Sequence, residues 1–428
     1  YNLQDQIIDE YTDATGIDAG ASTNELLTAG VYAGSTTATP TVTEDADDTG
    51  TDGDYSWYKW TDTAATGSYE TDTTQDHEYL IVGGGASGGE ENGGGGGGGG
   101  VLAATGLSLT GGNTYTTTVG AGGAAVGSNA SGNDGSDSIL SGTGITTLTA
   151  GGGGGGGAYN EATGSDGRAT NGSGGGGGYN DAPGGAGDGA GFDGGTGGAG
   201  LPAHGPGGGG GAAEDGEDGT SSKAGDGGDG VANDIIETGT NVYYAGGGGA
   251  CAHNNQGSCG AAGNGGGGAG DYNGGAGAAM HGTANTGGGG GGSTSGTNAS
   301  GAGGSGIVIL RRLTTVTAGG GDLTLQSTDT TAMTEPDYAD MVMLMENAEG
   351  TATINTDIKG WISKDSGSTF TQGTLVDEGT WGTNKKILAF HDLDISAQSG
   401  TSMCYKITTH NQSSGSKETK IHATSIGW

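Results

Sequence analysis

Apolar and polar residues alternate in short runs along the last part of the chain. Such runs stand at 322–326, 339–345, 353–363, 386–390, 403–408 and 419–426, with turn residues between them. Alternation favours β-strands because successive side chains of a strand point to opposite faces of a sheet. Several short strands without a helical period predict an antiparallel β-sandwich or jelly roll over 311–428. We expect Met341, Met343 and Met345 to fill its core, where flexible thioethers fit irregular gaps.

Residues 1–82 show a weaker pattern and are acidic and rich in Thr. Strands are predicted at 56–60 and 78–82, and an exposed acidic loop is predicted at 45–54. A short helix is predicted at the start of the chain, with an apolar face of Leu3, Ile7, Ile8 and Tyr11. Because this region has two Trp residues close together and little else to bury, we expect it to pack against a neighbour and to serve attachment.

Glycine dominates the middle of the chain. The 224 residues of 83–306 hold 89 of the 108 glycines, in runs such as 93–100, 151–157, 174–178, 207–211, 246–249 and 287–292. Hydrophobic residues make up only 30% of the chain. Burial of apolar surface, worth about 25 cal/mol per Å², therefore cannot order this part as it orders an ordinary globular protein. The change in composition predicts a separate glycine-rich domain over 83–310.

Three states of such a tract can be compared. A flexible linker does not require eight uninterrupted glycines, and a collagen helix requires glycine at every third position with far more than the five Pro residues present. The third state is a bundle of extended threefold glycine helices, polyglycine II, in which bare backbones touch on every side and bond laterally. We therefore predict a mainly β protein whose central slab is a polyglycine-II bundle with variable loops.

Apolar runs border the glycine tract. The runs at 101–110 and 114–119 are separated by two glycines and Asn113, and they predict a β-hairpin. The run at 307–310 predicts a closing strand. We expect this closing strand to pair with the opening strand at 78–82 and so to seal the slab.

Charge is distributed unevenly. The net charge is −37, with three basic and 35 acidic residues in 1–310 but nine and 14 in 311–428. This excess of negative charge argues against nucleic-acid binding through a basic surface. The longest apolar stretches fall far short of the roughly 20 residues of a membrane helix, so no membrane insertion is expected. The sequence starts at Tyr1 without an initiator Met and leaves targeting open.

Several stretches carry a resemblance to known proteins. The frame at 79–89, the end of the predicted hairpin at 115–123 and the closing segment at 303–311 resemble glycine-rich modules of tailed-bacteriophage structural proteins. The tract also looks like the polyglycine-II sandwich of phage tail-fibre tip adhesins. The segments 374–388 and 402–407 are similar to β modules in virion proteins of aquatic phages. In the tip adhesins the glycine domain ends the chain, whereas here a β domain follows it.

The resemblance implies a non-enzymatic structural protein on the virion surface, outside the cell. It would be a tail fibre or adhesin-like appendage that presents loops for host attachment. The implied partners are other virion proteins and a polysaccharide or protein of the host surface. Fibres are commonly homotrimers, while glycine sandwiches can stand alone. Two alternatives stay open: a capsid or tail decoration protein, and a secreted cell-surface filament or matrix protein.

Motifs with chemical potential are few. Residues 85–89 match the pattern G-x-S-x-G, but a nucleophile elbow needs a helix directly after the serine. Glu90 and a glycine run follow here, so we interpret the match as coincidence and expect no enzyme. The seven histidines form no metal-binding spacing, and His253, between Cys251 and Cys259, is expected in a loop. The two cysteines could close one small loop, and their pairing stays open.

The acidic stretch at 45–54 supplies the metal candidates. Its carboxylates, which suit oxygen-seeking cations such as Ca²⁺, belong to Asp45, Asp47, Asp48, Asp52 and Asp54. The stretch lacks the regular ligand alternation and the distant Glu of an EF-hand loop. No other cofactor is expected.

Tyr and Asn recur beside the glycine runs. The candidate receptor-binding residues of this pattern are Tyr159, Asn160, Tyr179, Asn180, Tyr243, Tyr244, Tyr272 and Asn273. Tyr is a large amphipathic contact residue with few rotamers, and Asn both donates and accepts hydrogen bonds. Two interpretations stay open, since these residues can cap the slab or bind sugar and protein surfaces.

Overall fold

A computed structural model describes residues 5–127, 129–159, 163–165, 167, 170–199, 204–252, 258–271, 280–294 and 299–428. These described residues contain 25 β-strands and no α-helix, which confirms the mainly β class. The chain divides into two compact units, Tyr1–Thr39 with Thr315–Trp428, and Pro40–Thr314. The predicted N-terminal region, 1–82, is therefore divided between the two units.

The strands of the first half of the chain are β1 Gln6–Asp9, β2 Glu25–Thr28, β3 Val31–Ala38, β4 Val42–Glu44, β5 Asp48–Asp52, β6 Tyr55–Trp60, β7 Thr66–Thr71, β8 Gln75–Val82, β9 Val101–Leu109, β10 Thr114–Thr118, β11 Ser138–Gly142 and β12 Leu148–Ala150. Those of the second half are β13 Val231–Asn233, β14 Val242–Tyr244, β15 Ile307–Leu313, β16 Val316–Gly319, β17 Thr324–Gln326, β18 Thr330–Thr331, β19 Tyr338–Glu349, β20 Ile358–Ser363, β21 Thr371–Gly373, β22 Val376–Gly382, β23 Lys385–Asp394, β24 Ser402–Thr409 and β25 Glu418–Gly427.

The unit formed by both chain ends has two antiparallel sheets around one core. The larger sheet has the order β16-β3-β25-β19-β23-β22, with β1 paired to β25 and β2 to β3. The smaller has the order β17-β24-β20-β21, with β18 on β24. Met341, Met343 and Met345 are fully buried in the core, together with Ile407 of the smaller sheet. The alternation along β19 thus places the methionine stripe inside, as predicted.

The helix predicted at the start of the chain is wrong. Residues Gln6–Asp9 form β1, in which Ile7 is buried and the next residue, Ile8, is 55% exposed. This strand pairs antiparallel with β25. Its backbone groups therefore form hydrogen bonds with β25 and not the hydrogen bonds of a helix. The Tyr405 hydroxyl donates to Asp9 at 2.5 Å and ties β1 to the smaller sheet. Leu3, the first residue of the predicted face, lies outside the described residues.

The unit Pro40–Thr314 contains two five-stranded sheets and a small hairpin of β13 and β14. One sheet has the order β5-β6-β15-β8-β9, and the other has the order β12-β11-β10-β7-β4. The predicted pairing of the opening and closing strands is confirmed, since Ile307 of β15 lies opposite Val82 of β8. Trp60, Tyr69 and Tyr115 belong to a buried cluster that both sheets share.

Two other predictions in this unit are wrong. The strands predicted as a hairpin, β9 and β10, do not pair: β9 pairs with β8, whereas β10 pairs with β7 and β11. Leu109 of β9 and Tyr115 of β10 are instead buried in one apolar core between the two sheets. An isolated hairpin of the two strands would have no such core. The loop predicted at 45–54 is wrong in part, because Asp48–Asp52 forms β5 and pairs with β6.

Within the described part of the chain, the glycine runs belong to no β-sheet, and their interior is almost entirely backbone. Every residue of the run 93–100 is buried. Its N–H groups donate in turn to three separate runs, and the cycle repeats every three residues. The acceptors are the carbonyls of Ser293, Gly157, Gly207, Gly290, Gly154, Gly210, Gly287 and Gly151, in the order of the donors 93–100. We call this assembly of runs the glycine core.

The carbonyl groups of the same run accept bonds from three further runs. The donors are Cys251 and Gly248 from one run, Gly89, Ala86 and Gly83 from a second, and Gly176 and Ser173 from a third. The run at 93–100 is therefore bonded to six neighbouring segments. Backbone groups that would be costly to bury unpaired are satisfied laterally in this way.

Candidate functional site

The glycine core has two ends within its unit. The proximal end adjoins β8 and β15, where Gly83, Gly100 and Gly151 are linked by hydrogen bonds. The distal end lies at the opposite end of the runs, where Gly89 donates to Gly94 and Gly94 donates to Gly157. Because each pair of neighbouring runs is bonded at every third residue, the register between runs decides which connecting residues meet at each end.

Three aromatic side chains meet at the distal end. The rings of Tyr159 and Tyr179 have centroids 4.9 Å apart, and the rings of Tyr179 and His204 have centroids 4.5 Å apart. Each follows or precedes a glycine run of the core. Tyr159 is 43% exposed, so the cluster reaches the surface. Contacts of this kind stabilise a defined ring arrangement by about 0.5–1.5 kcal/mol per pair.

Backbone bonds hold this cluster in place. The N–H of Tyr159 donates to the carbonyl of Glu91 at 3.0 Å. This bond ties the cluster to the turn between residues 89 and 93. Asn180 follows Tyr179 with a φ of 61° and is exposed. A left-handed conformation of this kind suits Asn and turns the chain sharply. Nδ1 of His204 is buried without a hydrogen-bond partner among the described residues.

The other aromatic candidates lie elsewhere or are not described. Tyr243 and Tyr244 belong to β14, at the proximal end of the run that follows. Tyr244 is buried in a core cluster with Leu80 and Ile309, whereas Tyr243 is 49% exposed. Asn160, Tyr272 and Asn273 lie outside the described residues. The structure thus brings together Tyr159 and Tyr179 but not Tyr243 and Tyr244, and it adds His204, which the sequence pattern did not single out.

The cysteine pair also lies at the distal end. Cys251 and Cys259 form a disulfide with their Cα atoms 4.3 Å apart. Cys251 is buried, and its N–H donates to the carbonyl of Gly93 at 3.0 Å, so the bridge is built onto the glycine core. His253 lies outside the described residues. The third cysteine, Cys404, is a buried free thiol whose pKa is raised by burial.

The acidic candidates for Ca²⁺ bind separate protein donors. Asp45 accepts from Ser68 and Trp60, Asp47 from Thr61, Asp48 from Lys59, and Asp52 from Thr238. Hydrogen bonds from Thr61, Lys59 and Thr238 lower the pKa of the last three carboxyls. The Asp54 carbonyl accepts from Thr314. Within the described residues, no three His, Cys, Asp or Glu side chains converge as metal ligands.

Ser87 of the G-x-S-x-G match lies inside the glycine core. Its side chain is fully buried, and its hydroxyl accepts the N–H of Asn133 at 2.7 Å. No described helix follows it, so the strand-to-helix turn that exposes a nucleophile is absent at this position. The serine therefore serves as a local hydrogen-bond partner in the core.

Rows of aspartates cap the sides of the glycine core, a feature that the sequence analysis missed. Asp pairs three residues apart bind N–H groups that are also three residues apart. Asp134 and Asp137 accept from Gly155 and Gly152, Asp215 and Asp218 from Asp193 and Thr196, and Asp226 and Asp229 from Ala261 and Asn264. Each carboxylate takes the place of a carbonyl from a further run. The recurring D-x-x-D spacing beside glycine is the signal that could have revealed them.

Comparisons with known proteins place the glycine core in a wider group. Residues 61–312 match the family model described as a glycine-rich domain. None of the curated proteins matches the chain. No helix of the described residues is long and apolar enough to cross a membrane. Since the family match spans more than half of the 428 residues and contains all of the glycine runs, the chain belongs to the glycine-rich domain family.

Proposed function

We propose that the glycine core is a polyglycine-II bundle. A threefold extended helix directs its N–H groups to three neighbours in turn, and the donors of 93–100 follow a three-residue cycle. The six bonded neighbours of this run are the number that hexagonal packing of such helices provides. The three-residue spacing of the aspartate rows supports the same period. This geometry would make the core stiff without apolar side chains.

We infer further that the protein is a non-enzymatic structural appendage of a bacteriophage virion, a tail fibre or adhesin-like protein. In this proposal the bundle presents its distal loops for binding to the host surface. The observation that carries the proposal is the partly exposed cluster of Tyr159, Tyr179 and His204 at the distal end of a core held by backbone bonds. A stiff support reduces the conformational entropy lost when such a surface binds.

The chemistry of the cluster suits a polysaccharide or protein partner. Tyr rings offer large apolar faces with a hydroxyl at the tip, and they lose little rotamer entropy on binding. The exposed Asn180 beside them can donate and accept hydrogen bonds. The net charge of −37 favours neutral or basic ligands over phosphate-rich ones.

An array of bacterial surface polysaccharides tests this proposal. We expect the purified chain to bind at least one of them, and we expect Tyr159→Ala with Tyr179→Ala to weaken that binding at least about tenfold. Tyr243→Ala is the matched control, because this tyrosine is similarly exposed but lies on β14. Equal loss in the control would contradict the distal site. Shortening of the bound polysaccharide would contradict a non-enzymatic role.

A further inference from the structure

Three buried oxygen atoms near the distal end have no hydrogen-bond donor among the residues that the structure describes. They are Oε1 of Glu90, Oδ1 of Asn92 and Oδ1 of Asn129. Glu90 is fully buried, and Asn92 is only 3% exposed. A buried polar oxygen without a partner destabilises the folded state, and it does so more strongly when it is charged. Three such acceptors on one tight turn and the segment bonded to it require a common explanation.

Contacts place these residues side by side. The second carboxylate oxygen of Glu90 accepts the backbone N–H of Asn129. The N–H of Glu90 donates to the carbonyl of Ala130 at 3.1 Å, so the segments run next to each other. Glu91 and Asn92 have φ values of 58° and 51°, which turn the chain back on itself directly after Glu90. Glu90 and Asn92 thus belong to the same tight turn, which links the runs 83–89 and 93–100.

We propose that Glu90, Asn92 and Asn129 form a binding site for a hard divalent cation of the Ca²⁺ type. All three free atoms are oxygens that can only accept or coordinate, and carboxylate and amide oxygens are the protein ligands that Ca²⁺ takes. The set combines one carboxylate with two neutral amides. The site is distinct from the acidic stretch at 45–54, whose carboxylates bind protein donors.

A bound proton explains the arrangement less well than a cation. A protonated Glu90 would donate one hydrogen bond and could satisfy only one of the two amide oxygens. A cation contacts several oxygens at once and offsets the carboxylate charge in a protein of net charge −37. An ionised carboxylate is costly to bury unless positive charge is placed beside it. A divalent ion would supply that charge.

A backbone hydrogen bond links the site to the aromatic cluster. The carbonyl of Glu91, inside the same turn, accepts the N–H of Tyr159. A cation that fixes the turn would thereby fix the backbone of Tyr159. This consequence rests on the proposed function, whereas the cation site itself does not.

Thermal unfolding of the full chain with and without Ca²⁺ tests the site. After treatment with a chelator, we expect addition of millimolar CaCl₂ to raise the Tm of the wild type, because a ligand that binds only the folded state stabilises it. We expect this rise to disappear in Glu90→Gln. Glu91→Gln is the matched control, since it removes the same charge one residue away, and it should keep the rise.

Other outcomes overturn the proposal. An unchanged Tm of the wild type in CaCl₂ excludes a functional cation site, and an equal rise in Glu90→Gln and the wild type excludes Glu90 as a ligand. A third outcome identifies a protonated carboxyl instead of a cation site. In that case CaCl₂ changes the Tm of neither protein, and Glu90→Gln is more stable than the chelated wild type. Should Glu90→Gln not fold, calorimetric titration of Asn92→Ala with CaCl₂ must show at least tenfold weaker binding than the wild type. None of these measurements uses a receptor, so they are independent of the proposed function.

Discussion

At Gly96 the backbone of the neighbouring segment at Ala86 occupies the space beside the α-carbon. A Cβ built there would lie closer than 3.0 Å to the carbonyl oxygen of Ala86, a distance that real Cβ atoms essentially never show. The N–H of Gly96 donates to Gly290 at 2.9 Å, so the run cannot retreat without stretching other bonds. We expect Gly96→Ala to lower the free energy of unfolding by about 1–3 kcal/mol or more, measured by urea-induced unfolding.

Gly127 provides the control for this substitution. A Cβ at Gly127 would meet nothing within 4 Å, and its φ lies outside the left-handed region. We expect Gly127→Ala to leave the free energy of unfolding unchanged or to raise it by about 0.4–1 kcal/mol, because Ala restricts the unfolded chain. Equal destabilisation by the two substitutions would show that close backbone contact does not set the requirement for glycine.

His77 makes the stability of its unit depend on pH. The side chain is 1% exposed, Nδ1 donates to the carbonyl of Gln75, and Nε2 accepts from the Tyr69 hydroxyl at 2.8 Å. Burial lowers the pKa of His77 from 6.5 to about 4. Between these values the unfolded chain binds a proton that the folded chain does not. The stability contributed by neutral His77 is therefore complete above pH 6.5 and is lost as the pH falls towards 4.

We expect His77 to account for a loss of about 2 kcal/mol in the free energy of unfolding between pH 7 and pH 5. Denaturant unfolding at the two pH values, with His77→Gln beside the wild type, measures this share. In His77→Gln the loss should be smaller by that amount. His391→Gln is the control, because the side chain of His391 is 60% exposed. An identical pH dependence in His77→Gln and the wild type would contradict the assignment.

Some of these residues can be identified from sequence and others cannot. The methionine stripe of β19 follows from strict alternation, and Tyr159 and Tyr179 follow from their position beside glycine runs. That the two rings meet depends on the register between two runs of identical residues, which a sequence of glycines does not encode locally. Glu90 has no signal of its own, since its importance comes from two amide oxygens supplied by the fold.

Paired aspartates act at the scale of whole glycine runs. Asp229 accepts the backbone N–H of Asn264 at 2.8 Å and its side-chain amide at 2.9 Å, and so satisfies two donors at the side of the glycine core. We expect Asp229→Ala to lower the free energy of unfolding by about 1–2 kcal/mol, because a hydrogen bond to a charged group is lost. Chemical unfolding of the variant measures this change.

Glu214→Ala is the control that distinguishes the loss of the Asp229 hydrogen bonds from the loss of one negative charge. Glu214 is exposed, and its removal takes away the same charge from an excessively acidic chain. Loss of one negative charge alone should relieve repulsion slightly. A Glu214→Ala variant as unstable as Asp229→Ala would mean that the carboxylates act through charge and do not cap the runs.

Strands were easier to predict than their partners. The alternating pattern located β6, β8, β19, β24 and β25 within a few residues, because period-two burial is a local property. It failed for the pairing of β9 and β10, where a short connection suggested a hairpin. Between the two sheets, β9 and β10 each bury more apolar surface than they would in a hairpin. The residues that complete this core, such as Trp60 and Leu140, are distant in sequence. The N-terminal strand β1 was missed for the same reason.

At the scale of the molecule, composition located the glycine tract but not the unit that contains it. The abrupt change in glycine content falls near 82 and 307, whereas the compact unit extends over Pro40–Thr314. The added strands include β6 and β8, which flank β15 on both sides. Two buried guanidinium groups hold this region: Arg311 pairs with Glu78 at 2.6 Å, and Arg312 donates to the carbonyls of Pro40 and Thr314. The ends of the unit are therefore close together.

The chain order makes Pro40–Thr314 an insertion between β3 and β16 of the other unit. Ala38 of β3 lies opposite Val316 of β16 in antiparallel register, so a tight turn can join them. We expect a chain in which a short Asn-Gly turn replaces 40–314 to fold cooperatively, as judged by circular dichroism and thermal unfolding. Residues 315–428 alone should not fold, because they lack β1 and β3 and the core side chains of Tyr11 and Tyr32, which are 3% and 2% exposed. Cooperative unfolding of 315–428 alone, or a joined chain without a thermal transition, would show that the two chain ends do not form one independent folding unit.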